Sequence, residues 1–139
     1  MLPFVLTLVA AACGLTPDVY EVQTVQDAPD AEIVIVVGKS ARILKIDGKE
    51  LEHPNPDMYY ASARLRPGLH AVTLNRWFVV SVLLVSRGYV DAVKTYSVNL
   101  QAGHVYELHA DRTTGPGFRI AMWIKDATTG EIVAGQELN

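Results

Sequence analysis

Only one cysteine, Cys13, occurs among the 139 residues, so no disulfide within the chain can staple the fold. A domain of roughly 120 residues needs none, because it buries about two thirds of the surface that its unfolded chain exposes. Charge is scarce and nearly balanced. Twelve Lys and Arg against fifteen Asp and Glu give a net charge of -3, which sets up no basic field for phosphate backbones. Nucleic acid is therefore not expected as a partner. Neither Leu2 to Ala12 nor Trp77 to Val85 reaches the ~20 apolar residues that a membrane-crossing helix requires. Catalytic signatures are missing too. There is no G-x-S-x-G elbow, and Gly115 and Gly117 flank Pro116 without opening a helix, so no phosphate-cradling loop is expected. No window keeps a helical period for more than two turns. A hydrophobic content of 50% excludes an intrinsically disordered chain.

What is present begins at the amino terminus. Met1 to Ala12 carries no charge, and its apolar run narrows to Ala10, Ala11 and Ala12 just before Cys13 and Gly14. A small-residue run after a short apolar stretch has the shape of a cleavable signal. The stretch Ala10 to Gly14 resembles the bacterial lipobox, with Ala10 where that family prefers leucine. The resemblance implies a lipoprotein signal peptide over 1–12 and a lipidated Cys13 as the first mature residue. It further implies attachment to a membrane of the bacterial cell envelope, facing the periplasm. Two or more acyl chains anchor a protein stably. The competing reading of the same residues is an apolar strand with Cys13 as an ordinary buried thiol. Residues 13–31, with Pro17, Pro29 and four acidic side chains, read as a flexible tether with room for a short strand at Val19 to Val25.

From residue 32 to 139 the pattern is that of one β domain. Glu32 to Val37 is a β-branched run that suits a strand buried on both faces, and Ala41 to Ile46 a second strand closed by Asp47-Gly48. His70, Val72 and Leu74 alternate with Ala71, Thr73 and Asn75, and Tyr96, Val98 and Leu100 alternate with polar neighbours. Trp77 to Val85 reads as a long core strand and Arg87 to Lys94 as a turn. Further strands run from His104, from Phe118 and from Glu131. The expected fold class is all-β, an antiparallel sandwich of about seven to nine short strands, with a small β-barrel as the alternative.

Ile46-Asp47-Gly48 followed by Leu65-Arg66-Pro67-Gly68-Leu69-His70-Ala71-Val72 resembles the VDG and LxPGxHxV framework of bacterial PEGA-type β-sandwich domains, although the Pro-Glu-Gly-Ala motif itself is absent. Ala102 to Tyr106 and Trp123 to Gly135 resemble segments of small lipoproteins of the same kind. The resemblance spans Ala41 to Gly135 and implies an exported sandwich with no catalytic residues to carry over.

Candidate sites follow from residue chemistry. His70 and His104 both start strands after a glycine turn and could meet at one end of the sandwich. A zinc site would need a third or fourth ligand beside them. Without one, each imidazole is expected to cap the core edge through a hydrogen bond. His104 and His109 lie five apart on one strand and so point to opposite faces. Glu50 and Glu52 share a strand face but read as solvated acids. Aromatics and arginines are enriched at contact surfaces, and aromatic rings stack on sugars, which singles out Tyr59, Tyr60, Trp77, Trp123, Arg64, Arg66, Arg76 and Arg119. Tyr59, Tyr60, Trp123 and Arg119 make the expected binding surface. The expectation is a monomeric, non-enzymatic module without cofactors that contacts an envelope protein or a glycan. The alternative is a periplasmic metal-binding sensor or enzyme using His70 and His104.

Overall fold

Turn chemistry fixes where the strands stop. The structure is a computed structural model and describes residues 28–50, 62–82, 86–114 and 117–138. Asp47 and Gly48 both take positive φ, 52° and 80°, as a tight two-residue hairpin requires. That turn joins β2 (Arg42–Ile46) to β3 (Lys49–Glu50). Asp126 closes a second turn. Its carboxylate accepts the Thr128 N–H at 2.9 Å and its carbonyl the Gly130 N–H at 2.7 Å, with Gly130 at φ 81°.

Among the described residues nine strands form two sheets. The first carries β1 (Val34–Gly38), β4 (Ser62–Leu65), β7 (Val105–Arg112), β8 (Ile120–Asp126) and β9 (Ile132–Gly135) in the order β4-β1-β7-β8-β9. The second has the order β3-β2-β5-β6, where β5 is Gly68–Val82 and β6 is Ser86–Leu100. The sheets do not close on each other, so the fold is an all-β sandwich and not a barrel. Tyr106, Leu108 and Ile124 from one sheet and Ile43, Val72, Leu74 and Leu100 from the other are almost wholly buried between them. Each such Val, Leu or Ile contributes ~1.5–3 kcal/mol relative to exposure.

Three expectations need correction. β1 pairs with β7 in parallel, so the sandwich is not purely antiparallel. Between β1 and β7 the chain builds the second sheet and also β4, on the other flank of β1, and parallel pairing requires a long connection of this kind. β1 is also fully buried on one face only: Val34 and Val36 point inward, while Ile35 and Val37 are only partly buried because a two-layer sandwich covers one side of each sheet. Finally, Arg87 to Lys94 is not a turn but part of the 15-residue β6, which pairs without a register shift along the equally long β5. Gly88 and the charges Arg87, Asp91 and Lys94 hide an alternation that continues through Val90, Ala92 and Tyr96.

Two polar stitches tie the sheets together. The Tyr96 hydroxyl donates to the Met122 carbonyl at 2.7 Å, beside Gly135 at φ 75°. A Cβ on Gly135 would lie 2.3 Å from that same carbonyl oxygen, so only glycine fits there. Farther along β5, Arg76 Nη1 donates to the Ser40 and Ala110 carbonyls at 3.1 and 2.9 Å while its guanidinium lies over the Phe78 ring.

Candidate functional site

Alternation divides the long hairpin into two faces. Val72, Leu74, Arg76 and Phe78 turn toward the other sheet, which leaves Ala71, Thr73, Asn75, Trp77 and Val79 on the outer face. Register places Thr95 opposite Thr73, Val93 opposite Asn75, Asp91 opposite Trp77 and Tyr89 opposite Val79. β2 adds Arg42 beside Asn75 and Lys45 beside Thr73. Near the base the outer face is small and polar, and the Thr73 and Thr95 hydroxyls meet at 2.8 Å. Toward the tip it becomes apolar, with Trp77 50%, Val79 48%, Val93 50% and Tyr89 76% exposed. Exposed aromatics and valines gathered on one flat face are the kind of surface that marks a contact site.

A polar network sits at the boundary between the two halves. Asn75, nearly fully buried, accepts from Arg42 Nε at 2.6 Å through Oδ1. Its amide nitrogen donates to the Asp91 carboxylate and, at 3.0 Å, to the Ala92 carbonyl. Every polar atom of this buried side chain is therefore paired, which fixes Arg42 and Asp91 on either side of it. The Arg42 guanidinium in turn lies 5.7 Å from the Trp77 ring centroid, a cation–π contact worth ~0.5–1 kcal/mol at an exposed site. The result is an indole oriented by a cation, bordered by a fixed carboxylate and a second aromatic ring. Such a surface can stack the apolar face of a ring while offering hydrogen bonds to hydroxyls at its rim.

The residues expected from sequence fall elsewhere. Trp123 is 9% exposed, because His109, its cross-strand partner, stacks on the indole at 5.3 Å between centroids. It is no exposed contact. Arg119 is exposed and its backbone N–H donates to Thr113 Oγ1 at 2.7 Å; it borders the groove between β6 and β8. Tyr59, Tyr60, Glu52 and Cys13 lie outside the described residues, as does Val19 to Val25. Glu50 is exposed on β3. Arg64 donates to Asp30 at 2.8 Å and to the Ala28 carbonyl at 3.0 Å, which holds the start of the domain against β4.

The histidines are engaged by carboxylates one at a time. His70 Nδ1 meets Asp47 at 2.6 Å and its Nε2 donates to the Arg66 carbonyl at 2.7 Å, so both ring nitrogens face acceptors. His104 Nδ1 meets Asp126 at 2.6 Å. Burial raises the Asp126 carboxyl, but the His104 bond and the Thr128 N–H outweigh it, and the net effect holds the group below its ordinary range. Asp47 is lowered in the same way, burial being overcome by the Ala71 N–H and His70. Among the described residues no group of three or more His, Cys, Asp or Glu comes together to hold a metal ion.

Asn75, Arg42, Asp91, Tyr89 and Val93 were not among the residues that sequence singled out. The available signal was the period-two alternation running on through Arg87 to Lys94, which would have placed Tyr89, Asp91 and Val93 on the same face as Thr95. Comparison of the chain with protein-family models, with curated proteins and with solved structures finds no match.

Proposed function

We propose that the chain is a lipid-anchored, non-enzymatic binding module of the bacterial cell envelope, and that the outer face of its β5–β6 hairpin takes a glycan. The anchor rests on the lipobox-like stretch Ala10 to Gly14, which contains the only cysteine, and the PEGA-like framework from Ala41 to Gly135 supports the same setting. The binding role rests on one observation above all: Trp77 and Tyr89 are exposed beside the fixed Arg42–Asn75–Asp91 network. An aromatic platform covers the apolar face of a sugar ring, and neighbouring charged groups bind its hydroxyls more strongly than neutral partners do.

Two measurements test the two halves. Purified chain should bind peptidoglycan or members of a glycan array, and Trp77→Ala should abolish that binding while leaving the circular dichroism spectrum unchanged. Retention of binding by Trp77→Ala would refute the assignment of the face. Cells fed labelled fatty acid should incorporate label into the wild type and not into Cys13→Ser, and the variant should leave the membrane fraction. An unlabelled wild type that still pellets with membranes in high salt would show that the anchor is not a lipid.

A further inference from the structure

An indole has two faces, and only one of those on Trp77 is open to a ligand. The Arg42 guanidinium lies over the ring, 5.7 Å from its centroid, and Arg42 is held there by its Nε bond to Asn75. Register sets Arg42 opposite Asn75, two residues nearer the base of the hairpin than Trp77. The covered face therefore looks toward β2 and the base, and the open face toward β6 and the tip, which accounts for an indole that is half exposed. Three side chains border the open face. Val79 lies two residues along β5, Tyr89 stands opposite Val79, and Asp91 stands opposite Trp77 itself. Together they make a notch with an apolar floor, an aromatic wall on either side and a carboxylate at its edge.

Size and charge decide what the notch takes. Tyr89 is the diagonal cross-strand neighbour of Trp77, and side chains so related stand about 7–8 Å apart. A ring packed between two others needs about 3.5–4 Å on each side, so the notch has room for one. Few polar groups reach it. Asn75 engages all its polar atoms with Arg42, Asp91 and Ala92. Asp91 accepts the Asn75 amide through Oδ1, and its Oδ2 has no partner among the described residues. A carboxylate oxygen only accepts hydrogen bonds, so it holds hydroxyls and, more strongly, ammonium groups, while it repels carboxylates and phosphates. The Arg42 charge that would offset this repulsion lies across the indole, on the covered face.

We infer that the notch between Trp77 and Tyr89 takes one ring of a neutral or amino sugar, that Asp91 Oδ2 accepts from its hydroxyl or amine, and that uronic-acid and phosphorylated glycans are turned away. The inference rests on the glycan reading of this face and adds its selectivity. Stacking on Trp77 and Tyr89 serves any pyranose, because every such ring has an apolar face. Asp91 sorts among them by charge, which makes it the specificity-determining residue of the site.

Oligomers of N-acetylglucosamine, of glucosamine and of galacturonate, matched in length and titrated calorimetrically into the full chain, separate these roles. The wild type should bind the glucosamine oligomer most tightly and the N-acetyl form next, with oligogalacturonate weaker than either on the order of tenfold or more. In about 1 M salt the first two should draw together, since the ammonium–carboxylate attraction is screened. Asp91→Asn keeps Oδ1 as an acceptor for Asn75 and removes the charge. Its circular dichroism spectrum should match the wild type, while the preference for glucosamine disappears and oligogalacturonate gains affinity. A purely structural role for Asp91 would instead weaken all three ligands alike. Wild-type chain that binds oligogalacturonate as tightly as the glucosamine oligomer, or an unchanged ranking in Asp91→Asn, would overturn the selectivity while leaving the glycan site in place. Trp77→Ala should lose all three ligands. A wild type that binds none of them, or a Trp77→Ala variant that binds them undiminished, would remove the glycan site and the selectivity with it.

Discussion

The base and the tip of the β5–β6 hairpin share two strands and one unbroken register, yet they bury different things. At the base, Val72 and Leu74 are sealed against the first sheet while Thr73 and Asn75 close the outer face with β2 alongside. At the tip the inward Phe78 is still covered, but Trp77, Val79 and Tyr89 stand about half or more exposed. The tip is the more apolar in sequence and the less buried in the fold. Burial here is decided by what lies over a residue, because a strand carries no information about its neighbours across a sheet.

The sharpest way to break the comparison is to cut the same kind of side chain in each half. Leu74→Ala, at the base, should cost ~2–5 kcal/mol, read as a fall in urea midpoint with unchanged slope. A loss under ~1 kcal/mol would mean that the sheets are not packed as described. Gly135→Ala comes next. Its new methyl must displace the Met122 carbonyl that receives the Tyr96 hydroxyl, and φ 75° is strained for alanine, so a cost of ~2 kcal/mol or more is expected from thermal melting.

Asn75→Ala probes the boundary itself. It strips Arg42 and Asp91 of their shared partner, and the expected destabilisation is ~1–3 kcal/mol with a matching loss of ligand binding. Rescue of both properties by Asn75→Asp would show that the amide nitrogen is dispensable, against the network drawn here.

A pH titration separates this network from the turns. Asp126 has a folded-state pKa below its unfolded value of 3.8, so its contribution is complete above that value and is lost as pH falls through the lower folded pKa. Urea midpoints should therefore decline from about pH 4 downward, and Asp126→Asn should flatten that decline. An unchanged acid slope in the variant would remove Asp126 from the acid response. Smallest of all is Val79→Ala at the tip, expected to shift stability by no more than ~0.5 kcal/mol, since an exposed side chain leaves no cavity behind. A large loss would reveal that something covers this face.

The elements whose information is local were legible in the sequence. Asp47-Gly48 dictates its hairpin because both residues tolerate positive φ, and Tyr96, Val98 and Leu100 declare a one-sided strand by alternation alone. The all-β class followed from these turns and periods. The candidate site was not legible to the same degree. Trp123 and Trp77 both stand in apolar strands, and what separates them is that His109 lies opposite the first and Asp91 opposite the second. Tyr89 and Val93 were hidden because Gly88 and three charges look like a turn until β5 is laid beside them.

By itself, then, the sequence determined the strand class, the hairpin positions and the inward partners Val72, Leu74, Leu100 and Leu108, since periodicity and turn residues act within a few positions of chain. The tertiary structure alone decided that β1 pairs with β7 in parallel, that β6 pairs with β5 along its whole length, and that Arg42, Asn75, Trp77 and Asp91 converge on one face. Cross-strand register joins residues from 16 to 33 positions apart, and over such separations pairing is selected by the sum of packing across the sandwich, which no local pattern encodes.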